Sequence, residues 1–202
     1  MCLHTNIQIP GGISLTSKRF LRSSLQQDLQ QKPQQQYEIQ STQIATRLFN
    51  TEEWKDASTI AITISRTPEV DTYPIIHEAW QTGKTIVVPK CHQQTRTMTF
   101  HGIQSFEQLE SVFFGLLEPI VSQTVEVHKS RIDLVIVPGL GYTTKGYRIG
   151  FGGGYYDRFL SDYEGKTISL AFPEQIKPSL PLEPHDIPVR KLITPEEVIS
   201  ID

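Results

Sequence analysis

The hydrophobic and polar positions near the start of the chain repeat with the spacing of an α-helix. In the segment TSKRFLRSSLQQDLQQ a leucine recurs every fourth residue from Leu21 to Leu29, which places the leucines on one face. Thr16 or Ser17 is the predicted N-cap, and Pro33 lies beyond the predicted end of the helix. A second helix is predicted over residues 37–49.

The second predicted helix contains three aliphatic residues that we expect to face inward. Ile39, Ile44 and Leu48 are its predicted inward-facing residues. The many glutamines around and between the two helices are polar, and we expect them to form solvated helix surface and a turn, because helical apolar spacing continues through the first part of this glutamine-rich patch.

From residue 58 the pattern changes to short apolar runs that alternate with helical segments. The predicted strands are STIAITIS, TIVVPK, RTMTFHGI, IDLVIVPG, TISLAF and VRKLITP. The predicted helices between them are TYPIIHEAWQTGK, which ends at Gly83, and GGYYDRFLSDY, and SFEQLES is predicted as a short helix or turn. Alternating strands and helices predict an α/β fold: a single-domain, open, mostly parallel twisted sheet with helices on both faces, in a Rossmann-like three-layer arrangement.

Composition places the chain among ordinary soluble proteins and excludes several classes. The 202 residues are 38% hydrophobic and 20% charged, with a net charge of −3, which gives no electrostatic reason to expect nucleic-acid binding. Two cysteines make no disulfide framework, and no apolar run reaches the roughly 20 residues that span a bilayer. We expect a cytoplasmic protein, monomeric or a weak dimer, with a loose tail at residues 1–15 and one domain at residues 16–202.

The segment KGYRIGFGGGYYDRFL concentrates glycines directly before a predicted helix and after a predicted buried strand. Ligands of such sheets bind beyond the carboxyl ends of the strands. A helix start offers unpaired amides to an anion, and glycine lets the backbone approach it closely. Gly150 and residues 152–154 therefore predict a phosphate site, with Lys145 and Arg148 as flanking cations. A flexible glycine-rich turn is the alternative, and neither the Walker nor the dinucleotide pattern is matched.

Several charged residues have both a functional and an ordinary interpretation. Asp157 lies in the first turn of the predicted helix, where an acid complements the helix dipole or, beside a phosphate, binds Mg²⁺. Lys18 and Arg22 are four residues apart and therefore share one helix face. The ordinary interpretation of this pair is that the face is exposed to solvent. Asp186 and Glu69 lie in predicted loops, where acids commonly make turns or face solvent.

The segment VPGLGYTTKGYRIGFGGGYYDRFL resembles the characteristic motif of the 5-formyltetrahydrofolate cyclo-ligase family. The matching parts are Pro138–Leu140, Gly146–Gly150 and Gly154–Asp157. SKRFLRSSL, EVDTYPII, SLAFPEQ and PHDIPV are similar to further segments of that family, so the resemblance covers essentially the whole chain from Thr16 onward.

The resemblance implies a Mg²⁺-dependent reaction that uses ATP to convert 5-formyltetrahydrofolate to 5,10-methenyltetrahydrofolate. ADP and phosphate are released. It implies Asp157 and Asp186 as Mg²⁺ ligands. Arg148 and Lys145 become the candidate catalytic cations. The implied ATP contacts are Lys18, Arg22, Arg148, Ile149, Gly150, Phe151, Gly152, Gly153, Gly154, Tyr155 and Tyr156.

The resemblance also implies which residues contact the folate and where this chain departs from its relatives. The implied folate contacts are Ile64, Glu69, Phe114 and Tyr155. Relatives often carry aspartate at the position of Thr143, leucine at that of Ile149, and in some cases lysine at that of Gly153. The missing lysine leaves open which cation meets the γ-phosphate.

Two other functional classes fit parts of the pattern. A folate- or nucleotide-binding regulator would keep the binding residues and lack turnover. An enzyme acting on sugar phosphates or coenzyme A would share the α/β layout but need a glutamate nucleophile or an acid–base pair, and no feature of the sequence demands one.

Overall fold

The computed structural model describes residues 15–112 and 115–201, with side chains from Lys18 onward. Its α-helices are α1 (Leu15–Gln30), α2 (Gln34–Phe49), α3 (Glu52–Asp56), α4 (Tyr73–Gln81) and α5 (Tyr155–Leu160). Within these residues, no helix combines the length and the apolar character that a membrane crossing requires.

One large sheet forms the centre of the molecule. Its strands are β1 (Thr59–Ala61), β2 (Thr85–His92), β3 (Thr97–Ile103), β6 (Val125–Val127), β7 (Leu134–Ile136), β10 (Lys166–Leu170), β11 (Lys191–Ile193) and β12 (Val198–Ser200), in the order β12-β11-β10-β7-β1-β2-β3-β6. The five strands from β11 to β2 are parallel, and the edges are antiparallel. Two small hairpins accompany the sheet, β4 (Leu109–Ser111) with β5 (Leu117–Pro119) and β8 (Gly141–Tyr142) with β9 (Arg148–Ile149).

The strand order reverses direction between β1 and β7, which lie side by side with Ile60 opposite Leu134. From β1 the chain crosses through α4 to β2 on one side, whereas from β7 it crosses through α5 to β10 on the other. Loops that leave two such strands in opposite directions open a crevice at their carboxyl ends, where ligands of doubly wound sheets bind.

The core lies on both faces of the sheet, as expected from the period of two in a strand. Ile60 and Ile62 pack with α2 and α4 on one face, and Ala61 and Val135 pack toward α5 on the other. This arrangement confirms the predicted mostly parallel α/β fold.

Several local predictions are corrected by the structure. Ile39 is 52% exposed, because it lies about 140° around α2 from the buried Ile44. The helix α1 begins at Leu15, so Thr16 and Ser17 lie inside its first turn and are not the N-cap. The strand predicted over STIAITIS is longer than β1, which ends at Ala61; beyond it the amide of Ile62 still donates to the Val87 carbonyl of β2. Residues 1–14 of the predicted tail lie outside the described residues.

Candidate active site

The glycine segment reaches the carboxyl edge of the sheet by way of the β8–β9 hairpin. Tyr142 pairs with Arg148, and the hairpin turns at Gly146, which has a φ of 79°. A side chain at Gly146 would collide with the carbonyl of Val189, whose amide donates to the Gly146 carbonyl. Glycine at this turn therefore lets the hairpin pack directly on the segment that contains Val189.

The loop over residues 150–154 presents free backbone amides. Gly152 and Gly154 have φ values of 104° and 63°, conformations that side chains other than glycine rarely adopt. Beyond Gly152, the first backbone amide that donates a hydrogen bond to another described residue is that of Arg158, and its acceptor is the Gly154 carbonyl. Among the described residues, no acceptor of the chain is bonded to the amides of residues 152–156. The loop thus retains the anion-binding capacity predicted for a helix start.

Two arginines hold the carbonyl groups of the same loop. Arg22 Nε donates to the Gly150 carbonyl at 2.9 Å, which fixes helix α1 beside the loop. Arg158, which the sequence analysis did not select, donates to the carbonyls of Gly153 at 2.6 Å and Arg96 at 2.7 Å. Its position one turn into α5 was the available signal. The carbonyls of Gly150 and Gly153 therefore have hydrogen-bond donors, whereas the amides of residues 152–156 have no acceptor among the described residues.

The predicted cation Lys145 lies apart from these contacts. It is exposed in the turn of the β8–β9 hairpin, and no hydrogen bond or ion pair of its ammonium is found with any residue the structure describes. A part for Lys145 on the approach to the phosphate site stays a prediction.

Arg148 and Asp157 form a buried ion pair beneath the loop. Arg148 Nη2 lies 2.8 Å from Asp157 Oδ1, and the two side chains are 4% and 24% exposed. Arg148 also donates to the Ile187 carbonyl. The acid at the start of α5 therefore has a guanidinium partner in addition to the helix dipole.

A second buried ion pair joins α1 to the loop that contains Asp186. Lys18 Nζ lies 2.8 Å from Glu183 Oε2 and 3.1 Å from Asp186 Oδ2. Asp186 Oδ2 also accepts the amide of Glu183 at 2.7 Å, so the turn holds the carboxylate in place. Glu183 was missed in the sequence analysis, although it precedes Asp186 by only three residues.

The loop after β1 carries Glu69 to the same edge of the sheet. Ser65 and Thr72 close this loop with reciprocal amide-to-hydroxyl hydrogen bonds of 2.9 Å. Burial raises the pKa of Glu69, against the opposing effects of the Arg66 amide and guanidinium. Ile64 is 5% exposed and belongs to the core on the α2 and α4 face.

The turn between β4 and β5 approaches the Glu69 loop. The guanidinium of Arg66 lies within 4 Å of where a side chain at Gly115 would begin. Phe114, the predicted pterin contact, precedes Gly115 and lies outside the described residues.

The two tyrosines at the start of α5 have different surroundings. The Tyr156 hydroxyl is buried without a hydrogen-bond partner among the described residues. Burial raises its pKa, the charges of Cys91 and Glu69 raise it further, and Arg148 opposes them. Tyr156 belongs to α5, which follows β7 and the glycine segment, and Glu69 lies in the loop after β1, so both follow adjacent parallel strands at the carboxyl edge of the sheet.

Tyr155 lies beside a cleft of about 230 Å³ between β3 and α5. The guanidinium carbon of Arg158 is 5.5 Å from the centre of its ring. The contacts of Tyr155 thus differ from those of Tyr156, and its predicted part in folate binding stays a prediction.

The model of the 5-formyltetrahydrofolate cyclo-ligase family matches residues 14–195. The chain belongs to this family. It is 31% identical over 170 residues to the 5-formyltetrahydrofolate cyclo-ligase of Escherichia coli K12, a match that covers 82% of this chain and 93% of that protein. The corresponding enzyme of Mus musculus is 29% identical, with 88% and 93% covered.

A solved structure supports both the fold and the membership. The NMR structure of Aquifex aeolicus 5,10-methenyltetrahydrofolate synthetase is 28% identical, superposes with a TM-score of 0.80, and covers 91% of this chain and 92% of its own. The resemblance inferred from the sequence is confirmed.

The residues predicted for Mg²⁺ offer a suitable donor set. Asp157 Oδ1 and Asp186 Oδ2 contact the chain, whereas the second oxygen of each makes no hydrogen bond or ion pair among the described residues. Glu183, His185 and Asp186 place ligand atoms within 4.8 Å of one another. Carboxylate oxygens beside a phosphate site match the preference of Mg²⁺. Family membership and geometry are compatible with the predicted ligands, which remain predictions.

A larger cleft, of about 750 Å³, lies at the opposite edge of the sheet. Its lining includes Asp133, which precedes β7, and Lys166, which begins β10. None of the predicted site residues lines it. Its position at the amino ends of parallel strands is not where ligands of this fold class bind.

Proposed function

We propose that the protein converts 5-formyltetrahydrofolate and ATP to 5,10-methenyltetrahydrofolate, ADP and phosphate in a Mg²⁺-dependent reaction. The observation that carries this proposal is that two loops lie at the same carboxyl edge of the sheet in a member of the cyclo-ligase family. One loop presents free amides at residues 152–156, and the other presents the half-buried Glu69.

The reaction requires activation of an amide-like formyl group, whose carbon is a weak electrophile and whose oxygen is a poor leaving group. In the proposed sequence, the formyl oxygen attacks the γ-phosphorus of ATP and ADP departs. The N10 nitrogen then attacks the activated carbon, loses its proton, and phosphate leaves with the former formyl oxygen. Such a route depends on alignment and charge stabilisation and needs no side-chain nucleophile.

The chain's own groups divide between the two substrates. The amides of residues 152–156, together with Lys18, Arg22 and Arg148, would hold the triphosphate, and Lys145 would add positive charge on the approach. Phe151 and Ile149 would complete the wall of this site. The carboxylates of Asp157 and Asp186 would hold Mg²⁺, which would supply positive charge to the phosphates.

The folate would bind on the opposite side of the crevice. Burial raises the pKa of Glu69, and a pterin amide or amine that donates to its carboxylate would offset the cost of burying that charge. Ile64, Phe114 and Tyr155 are the proposed apolar contacts, as expected for the flat ring system of the folate.

A direct test follows methenyl product by its absorbance after 5-formyltetrahydrofolate is added. We expect product only when ATP and Mg²⁺ are both present, with one ADP and one phosphate per turnover. A protein that binds both substrates tightly without releasing phosphate would instead be the regulator considered from the sequence, and no binding of either would reject both functions.

A matched pair of glycine variants tests the position of the triphosphate. Gly152→Ala forces a side chain into a φ of 104° and toward the Arg22 guanidinium, so we expect the KM for ATP to rise at least tenfold. Gly102→Ala introduces a Cβ with ordinary contacts of 3.8 Å in β3 and serves as the control. Equal ATP kinetics in the two variants would contradict the proposed site.

A further inference from the structure

Each predicted metal ligand forms an ion pair with a predicted phosphate-binding cation. Asp157 is paired with Arg148, and Asp186 is paired with Lys18. The acids that are expected to bind the metal ion are therefore paired with the cations that are expected to bind the phosphates. Binding of the metal and the nucleotide must break these pairs.

The Lys18 ammonium contacts the carboxylate of Asp186, which is a predicted metal ligand. It lies 2.8 Å from Glu183 and 3.1 Å from Asp186, and the side chains of Lys18 and Asp186 are each 11% exposed. Because both carboxylates contact the same ammonium, they have a geometry that holds a positive ion. The turn from Glu183 to Asp186 keeps that geometry through the amide of Glu183.

A divalent ion cannot approach Asp186 favourably while the ammonium stays there, because two cations at one carboxylate repel each other. The triphosphate would offer the ammonium a new anionic partner close to Arg22, which contacts the glycine loop from the same face of α1. Lys18 and Arg22 share one helix face, so a modest change of the Lys18 rotamer redirects its charge.

We propose that Lys18 is the resident cation of the metal site and that metal and nucleotide bind by exchange. The metal takes the carboxylate of Asp186 as the Lys18 ammonium transfers to the phosphates. The nucleotide half of this exchange rests on the proposed function, whereas the blocking of the metal by Lys18 does not. The free protein accordingly has low affinity for divalent cations until a nucleotide draws Lys18 away.

The test measures Mn²⁺ and Mg²⁺ binding to the free protein, by electron paramagnetic resonance and calorimetry, without ATP or folate. We expect Lys18→Met to bind the metal at least tenfold more tightly than the unmodified protein. The same variant is expected to bind ATP in EDTA at least tenfold more weakly. Tighter metal binding together with weaker ATP binding in the same variant is the result that the exchange predicts.

Three further variants assign the effect. Lys18→Arg keeps a cation and should leave metal affinity low, and Lys18→Met combined with Asp186→Asn should lose the gain. Lys177→Met removes the same charge from a surface pair with Asp28 and should change nothing. If Lys18→Met does not fold, Lys18→Gln carries the same expectation.

Metal affinity in both neutral Lys18 variants no higher than in the unmodified protein would overturn the proposal, as would an equal gain in Lys177→Met. The outcome is separate from the proposed function. A gain in metal affinity without methenyl product would reject only the function, and methenyl product without the gain would reject only the exchange.

Discussion

Removal of the Arg148 guanidinium is expected to cost stability as well as turnover. Arg148→Met leaves Asp157 without its cation and the Ile187 carbonyl without a donor. Breaking a fully buried pair costs about 3–5 kcal/mol, and a lost charge-assisted hydrogen bond about 1.5–3 kcal/mol. Because Asp157 is 24% exposed and can recruit water, we expect the free energy of unfolding to fall by about 2–3 kcal/mol.

A double-mutant cycle isolates the interaction between the two side chains. Asp157→Asn keeps an acceptor for the guanidinium, so we expect a loss of about 1 kcal/mol. In the double variant no charge is left unpaired, and the combined loss should be about 1–2 kcal/mol smaller than the sum of the single losses. Each variant should remain folded at 25 °C, because domains of ordinary stability have about 5–15 kcal/mol.

Urea unfolding at pH 7, followed by the fluorescence of Trp54 and Trp80, measures these free energies. The midpoint should move without a change in the m-value. Turnover measured on the same folded variants should drop by at least a hundredfold for Arg148→Met. Single losses that add within about 0.3 kcal/mol would refute the pairing of Arg148 with Asp157, and normal turnover in Arg148→Met would exclude the cation from the transition state.

Three further predictions follow from other buried groups. Tyr156→Phe removes a hydroxyl without a hydrogen-bond partner among the described residues, so the free energy of unfolding should stay unchanged within about 0.5 kcal/mol. Tyr142→Phe removes the donor to the Gly139 carbonyl and should lower the free energy of unfolding by about 1 kcal/mol. Equal losses of the two variants on urea unfolding would contradict this difference. Gly146→Ala should lower the melting temperature by several degrees, because the new side chain collides with a backbone carbonyl at a φ of 79°; an unchanged melting temperature would show that the turn relaxes. Burial raises the pKa of Glu69, so its ionised form destabilises the folded state: Glu69→Gln should stabilise the protein at pH 7–8, and the gain should vanish below about pH 4, whereas a gain that grows as the pH falls would contradict the reasoning.

Most elements of the fold could be predicted because each is encoded locally. The apolar period of α1, the Gly83 end of α4 and the buried run of β7 appear in the sequence with little ambiguity. Ile39 shows the limit of this reasoning, because an isolated apolar residue in a helix has no marked face until the helix packs. The predicted strand from Ser58 to Ser65 exceeded β1 for a similar reason: an apolar run does not show where pairing with β2 and β7 stops.

The candidate site was partly accessible from the sequence. The glycine-rich loop and its place after β7 follow from composition and strand order, and no residue in the described ranges accepts a hydrogen bond from the amides of residues 152–156. Arg158 and Glu183 were missed, because an arginine in a helix and a glutamate in a loop are ordinary surface residues by pattern. Their contacts with Gly153 and Lys18 depend on segments that are distant along the chain or folded back in a turn.

The sequence by itself determined the alternation of strands and helices, the glycine loop at the carboxyl end of a buried strand, and the resemblance to a family. Only the tertiary structure decided which charges meet. Lys18 and Asp186 are 168 positions apart, and their pairing depends on how α1 packs against the loops at the edge of the sheet. Periodicity reports the environment of a residue relative to its neighbours in sequence, whereas an ion pair depends on distances set by the packing of whole elements.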